Sequence, residues 1–187
     1  MVERAGKVKL VLIGDERVGK TTLRKTFMGE KQTVTYMATI GADFAKRITS
    51  LSLDDITYQV ETLIWDLAGQ DAYKIVRESF YEGSNGALLV VDITRPETIA
   101  SAEGWLEELR KNTGGNIPYV ILANKTDLKE HPQALTIDEA RKRIFEVLSD
   151  QQQQALNFLG TSALTGENVN IAFQILLEAI LRGNADM

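Results

Sequence analysis

Gly14-Asp15-Glu16-Arg17-Val18-Gly19-Lys20-Thr21 decides the fold. It has the spacing G-x-x-x-x-G-K-[ST], and it stands between an apolar run at residues 8–13 and a helical pattern at 19–28. A strand, a glycine-bearing loop and a helix start in that order make a cradle for phosphate. Backbone N–H groups of residues 14–19 surround phosphate oxygens, and the helix N-terminus adds positive potential. Lys20 reaches the β- and γ-phosphates and the Thr21 hydroxyl binds Mg²⁺, with Thr22 next in the first helical turn. The alternative is a glycine-containing turn that binds nothing.

Outward from this loop, strand and helix patterns alternate. Residues 44–53 and 56–66 are β-rich, and Asp54-Asp55 between them reads as a hairpin turn. Residues 86–92 and 119–123 are almost continuous apolar runs, as in parallel strands buried on both faces. A shorter strand is expected at 156–159. Amphipathic helices are expected at 97–112, 137–149 and 169–181. The last is apolar but short, and Glu178 interrupts it, so burial against a sheet is its expected fate. The fold class is therefore α/β: a six-stranded, mostly parallel sheet with one antiparallel edge strand and helices on both faces.

The chain has 187 residues, 44% hydrophobic and 25% charged, which fits one domain over residues 1–187. Lys plus Arg is 21 against 26 Asp plus Glu, a net charge of −5, so no nucleic-acid or anionic-membrane binding is expected. There is no cysteine, which excludes disulfides, thiolate metal sites, prenylation and palmitoylation of these residues. Position 2 is Val, which excludes N-myristoylation there. A cytoplasmic protein with no membrane anchor of its own is the expectation. The single histidine, His131, falls in a loop and reads as solvated, as does the run Gln151-Gln152-Gln153-Gln154.

Three further motifs choose the ligand. Asp66-Leu67-Ala68-Gly69-Gln70 ends the second hairpin strand. An Asp at that point holds Mg²⁺ through water, the Gly69 N–H meets a γ-phosphate, and Gln70 orients an attacking water. Asn124-Lys125-Thr126-Asp127 ends another strand at the same sheet edge. The Asp127 carboxylate there accepts two hydrogen bonds from guanine, for which adenine has no matching donor pair, and the Lys125 stem lies across the base. Backbone N–H groups of Thr161-Ser162-Ala163 are placed to meet the guanine carbonyl.

Together these motifs resemble the Ras superfamily of small GTPases over about residues 7–182, with a Rab-like flavour. Thr39-Ile40-Gly41-Ala42-Asp43-Phe44, Trp65 to Asp71 and Thr161-Ser162-Ala163-Leu164-Thr165-Gly166-Glu167-Asn168-Val169 carry the likeness. The resemblance implies GTP and GDP as ligands, Mg²⁺ as cofactor, and effector, exchange-factor and activating proteins as partners. It implies that Thr39 contributes its hydroxyl to Mg²⁺ and its N–H to the γ-phosphate, that Tyr36 closes over the phosphates, and that residues about 29–41 and 67–79 are switches. It adds Leu164 to the base loop. Phe44, Trp65 and Tyr81 fall where Rab-like proteins carry exposed aromatics that read effectors; core packing is the equal alternative.

The departures are as informative. Glu16 and Arg17 stand where relatives have a small residue and a glycine. A bulky residue there obstructs Gln70 or an incoming arginine finger, so slow intrinsic hydrolysis is expected. Arg17 itself is a candidate cation toward the phosphates; pairing with Glu16 or a switch residue, or solvation, is the alternative. The tail Arg182-Gly183-Asn184-Ala185-Asp186-Met187 has no lipidation cysteine, which suits either an unanchored protein of prokaryotic, for instance archaeal, type or a chain whose lipidated tail has been lost. Gly160 replaces a common Glu, which puts the support of Lys125 in question. A scaffold that holds GTP or GDP with negligible hydrolysis is the second reading. A P-loop kinase or ATPase is disfavoured by residues 124–127.

Overall fold

The computed structural model describes residues 2–30, 39–148 and 155–185. In chain order the elements are β1 (Val2–Ile13), α1 (Lys20–Met28), β2 (Ala42–Leu53), β3 (Ile56–Leu67), a 3-10 turn (Asp71–Tyr73), α2 (Lys74–Glu78), β4 (Gly86–Asp92) and α3 (Glu97–Ala100). There follow α4 (Ala102–Thr113), β5 (Tyr119–Asn124), a second 3-10 turn (Thr126–Leu128), α5 (Ile137–Val147), β6 (Ala155–Thr161) and α6 (Val169–Ala185). Tyr36 and the glutamine run at 151–154 lie outside the described residues.

The sheet order is β2-β3-β1-β4-β5-β6. Only β2 runs antiparallel to its neighbour, β3, so the hairpin strand forms one edge as expected. The hairpin register is fixed by Asp54 and Asp55, whose φ values of 48° and 65° are both positive. That is the geometry of a type I′ turn, which Asp tolerates better than most side chains. β1 begins at Val2, earlier than its apolar pattern suggests, because Val2 to Lys7 pair with Ile56 to Glu61 of β3. The partner strand, not the hydrophobic pattern, extends it.

β4 and β5 are buried along their whole lengths, which explains their unbroken apolar sequences. One face of the sheet packs Leu10, Leu12, Leu88 and Val90 under Leu23 and Phe27 of α1 and Phe173, Leu176 and Leu177 of α6. The other packs Val11, Ile13, Leu89 and Val91 under Trp105, Leu106 and Leu109 of α4 and Ala140 and Ile144 of α5. Burying a Leu, Ile, Val or Phe side chain stabilises the fold by about 1.5–3 kcal/mol, so the two layers fix the sheet from both sides. No helix among the described residues is long and apolar enough to cross a membrane.

One expectation needs correction, and one open choice is decided. The helix over 97–112 is divided at Ser101 into α3 and α4. The Ser101 hydroxyl donates to the Asp15 carboxylate at 2.9 Å, so the break faces the phosphate loop. Tyr81 is not an exposed aromatic: it is 0% exposed, and its hydroxyl donates to Glu108 at 2.8 Å. The neighbouring Phe80 stacks instead on Trp65, which stacks on the exposed Phe44. One step along the chain reverses which ring faces solvent.

Candidate active site

All four motifs reach the same edge of the sheet. β1, β3, β4 and β5 are mutually parallel, so the loops after their C-terminal ends share that edge. The phosphate loop follows β1, the Asp66 segment ends β3, residues 124–127 begin at the last residue of β5, and residues 161–163 begin at the last residue of β6, which is parallel to β5. Ligands of open parallel sheets bind there.

Close backbone approaches shape the phosphate loop. Gly14 has φ +132°, and a Cβ there would lie 2.2 Å from the Val90 carbonyl oxygen. Gly19 has φ +106°, and a Cβ there would lie 2.3 Å from the Asn124 amide nitrogen. Neither position admits a side chain. Arg17 also has positive φ, 62°, and its side chain is exposed. Val18 is fully buried, and its carbonyl accepts from Asn124 Nδ2 at 2.7 Å.

Lys20 is buried, and its Nζ donates to the Gly14 carbonyl at 2.6 Å and the Asp15 carbonyl at 2.7 Å. Burial lowers its pKa to about 8, against the opposing pull of Asp66 and Asp15. The Asp15 carboxylate is held by Trp105 Nε1 at 2.7 Å as well as by Ser101, which ties the loop to α4.

Thr21, Thr39 and Asp66 form an oxygen cluster. The Thr21 and Thr39 hydroxyl oxygens lie 3.1 Å apart. Thr21 Oγ1 donates to Asp66 Oδ2, and Thr39 Oγ1 lies 3.5 Å from the same oxygen. Asp66 is fully buried, and burial pushes its carboxyl above the usual range. Its Oδ1 is buried without a hydrogen-bond partner among the described residues. Unsatisfied buried carboxylate oxygen is costly unless something pairs with it. Three hard oxygen donors with one orphaned lone-pair site fit Mg²⁺.

Gly69 lies against the phosphate loop: a Cβ there would come within 2.3 Å of the Glu16 nitrogen. Beside it Gln70 Nε2 donates to Glu16 Oε2 at 2.8 Å. The Gln70 carbonyl accepts from Arg77 Nη1 at 2.8 Å. Arg77 of α2 is buried and grips Glu108 of α4 with two bonds, of 2.7 Å and 2.8 Å. Glu16, Gln70, Arg77, Trp105 and Glu108 are among the walls of a cleft of about 800 Å³ between the phosphate loop, α2 and α4.

At the base end, Asn124 is buried and fully engaged. Its Oδ1 accepts from the Ala163 N–H at 3.0 Å and Thr161 Oγ1 at 3.2 Å. The Ser162 N–H donates to the Glu167 carbonyl at 3.2 Å. Of the N–H groups expected to meet a guanine carbonyl, those of Ser162 and Ala163 are thus bonded within the protein. Asp127 is exposed, and Ser162 Oγ fixes its Oδ1 at 2.5 Å. Lys125 has φ 73°, and its Nζ lies 2.6 Å from Asp92 Oδ2. Thr22 sits half-buried in α1, and Leu164 is exposed. Gly160 has a packing reason: a Cβ there would lie 2.8 Å from Ile137 Cδ1.

A model of the Ras family matches residues 9–182. The chain belongs to the Ras family. It is 39% identical over 174 residues to the Ras-related protein RABA2a of Arabidopsis thaliana, covering 93% of this chain and 75% of that one. It is 40% identical over 172 residues to RABA1c of the same plant, covering 92% and 74%. This Ras-family chain is a Rab-like small GTPase, a GTP-binding hydrolase. The G-domain sheet, the phosphate loop and the sequence order of the motifs are accounted for by that membership. Asp92, Arg95, Arg77, Glu108, Ser101 and Trp105 are site residues that the motifs do not reveal.

Proposed function

We propose that this GTPase cleaves the γ-phosphoanhydride of GTP slowly, with Mg²⁺, and that loss of the γ-phosphate releases the segments around Thr39 and Gln70 from the phosphate loop. The supporting observation is the oxygen cluster of Thr21, Thr39 and Asp66 beside Lys20, where one carboxylate oxygen is left unpaired. These three residues would hold Mg²⁺, which when bound neutralises charge on the phosphate oxygens. Lys20 and the N–H groups of residues 14–19 stabilise the charge that develops on the transferring phosphoryl group. Gln70 orients water for in-line attack. The Gly69 and Thr39 N–H groups bind only when the γ-phosphate is there, so both segments read the nucleotide state. Asp127 chooses guanine.

The exposed Phe44, with Trp65 and Phe80 stacked behind it, adjoins both segments and serves as the effector face. Effector, exchange-factor and activating proteins act through this surface.

The Glu16–Gln70 hydrogen bond favours a second reading, a nucleotide-holding scaffold. It occupies the Gln70 amide and places a carboxylate next to the reaction site. Single-turnover conversion of Mg·GTP loaded on purified protein separates the two. Slow GDP formation that is lost in Gln70→Leu and accelerated in Glu16→Gly supports the hydrolytic switch. Stable GTP with no conversion in the wild type or in Glu16→Gly supports the scaffold. Failure to load GTP defeats both.

A further inference from the structure

Asp92 ends β4, in register with Asn124 of β5, so it stands beside the residue that precedes Lys125. Its carboxylate is completely buried and carries four contacts. Oδ1 accepts from the Thr94 N–H at 2.9 Å and the Thr94 hydroxyl at 2.7 Å. Oδ2 accepts from Arg95 Nε at 3.1 Å and lies 2.6 Å from Lys125 Nζ. The same Arg95 guanidinium donates through Nη2 to the Glu16 carbonyl at 2.7 Å. One carboxylate thus joins the base-loop lysine to the backbone of the phosphate loop.

We propose that Asp92 is a positioning residue for nucleotide retention: through Lys125 it holds the base-stacking stem, and through Arg95 it braces the phosphate loop at Glu16. This inference rests on the nucleotide-binding reading above. The Lys125 side chain is 28% exposed, and its backbone takes a conformation disfavoured for a non-glycine residue. Without a fixed anion, an ammonium on a four-carbon stem extends into water, and the stem no longer has one place over the base. Arg95 loses its anchor at the same time, and the Glu16 carbonyl loses its restraint. Asp92 touches neither base nor phosphate directly. It therefore affects the lifetime of any purine nucleotide in the site, whereas Asp127, which meets the base edge, governs which purine is held.

The test is the release of GDP and of inosine 5′-diphosphate from preloaded protein, chased with excess unlabelled GDP. Asp92→Asn keeps the shape and the bonds from Thr94 and removes the charge. It should release both nucleotides at least about tenfold faster, as losing one member of a buried charge pair acts mainly on off-rate. The ratio of the two release rates should stay within about twofold of wild type, because base-edge bonds set discrimination. Asp92→Asn combined with Lys125→Met should release GDP no faster than the faster single variant, as expected of two members of one contact.

Wild-type release by Asp92→Asn overturns the inference, and so does multiplication of the two single effects in the double variant. A collapsed GDP-to-inosine ratio overturns it too, since Asp92 would then act through the base edge. If Asp92→Asn does not fold, Arg95→Gln decides. It breaks only the arm to the phosphate loop at a part-exposed side chain, and unchanged GDP release from it is fatal. Wild-type protein that retains no GDP would instead sink the nucleotide reading itself.

Discussion

Arg77 and Arg24 are both buried guanidiniums beside the phosphate site, yet their partners differ. Arg77 meets Glu108 with two bonds, and both side chains are shielded, at 3% and 7% exposure. Its remaining donor bonds the Ala68 and Gln70 carbonyls, its Cζ lies 4.3 Å from the Trp105 ring centroid, and Tyr81 completes the Glu108 carboxylate. Arg24 of α1 makes single contacts, 3.0 Å to Asp43 and 3.4 Å to Glu30, and those carboxylates are 55% and 44% exposed. Arg24 Nε has no partner among the described residues. One arginine locks the segment after Gln70 onto α4. The other holds the two ends of the segment around Thr39 loosely, through carboxylates that water and salt reach. The two segments that flank the phosphate loop are therefore anchored unequally.

The largest expected effect breaks the stronger anchor. Glu108→Ala leaves Arg77 buried and uncompensated and removes the acceptor of Tyr81. Chemical denaturation should show a loss of about 3–5 kcal/mol, the range for breaking one side of a buried pair. A loss under about 1 kcal/mol would put Arg77 on a par with surface ion pairs and erase the contrast. Next is Arg24→Met, for which the same titration should give about 1 kcal/mol or less, since its carboxylates are half in water. Salt at about 1 M, with a Debye length near 3 Å, should shrink that difference while leaving the Glu108 effect almost intact. Equal salt sensitivity of the two variants would contradict the burial argument.

The smallest effect concerns Lys20, whose pKa near 8 is lowered by burial and, to a lesser degree, by Arg77 and Arg95. The folded value lies below the ordinary 10.5, so this group makes nucleotide-free stability rise with pH between about 8 and 10.5. A phosphate bound there favours the ammonium form. At pH 8.5 GDP binding should therefore take up part of a proton, and at pH 6.5 none through Lys20. Calorimetry in two buffers of different ionisation heat reads this directly. A binding enthalpy independent of buffer at pH 8.5 would contradict it. Arg77→Met should reduce the uptake, because Lys20 then holds its proton more firmly before binding.

What could be read in the sequence was local. The phosphate loop, Asp66 to Gln70 and residues 124–127 are contiguous motifs, and β4 and β5 announce themselves by unbroken apolar runs. What could not be read was pairing across long separations. Arg77 and Glu108, Asp15 and Trp105, and Asp92 and Lys125 lie 31, 90 and 33 residues apart in the chain, on different elements. α2 is only five residues long, too short to display a helical period. Phe80 and Tyr81 are equally aromatic, and only the direction in which the chain leaves α2 decides which ring enters the core. From sequence, the glycine at 160 puts the support of Lys125 in question. Asp92 contacts Lys125 instead, and a side chain at Gly160 would require Ile137 to shift.

The chain has two tryptophans, and their surroundings make them natural optical probes of different parts of the surface. Trp65 lies in the stacked aromatic face between Phe44 and Phe80. Trp105 bonds the phosphate loop through Asp15, lies under the Arg77 guanidinium, and has the Lys20 ammonium 6.0 Å from its ring. Replacing Trp65 with Phe would leave a single indole whose emission responds to the phosphate loop and to the Arg77 segment together. A change in that emission is the expected unlabelled readout of nucleotide loading and release.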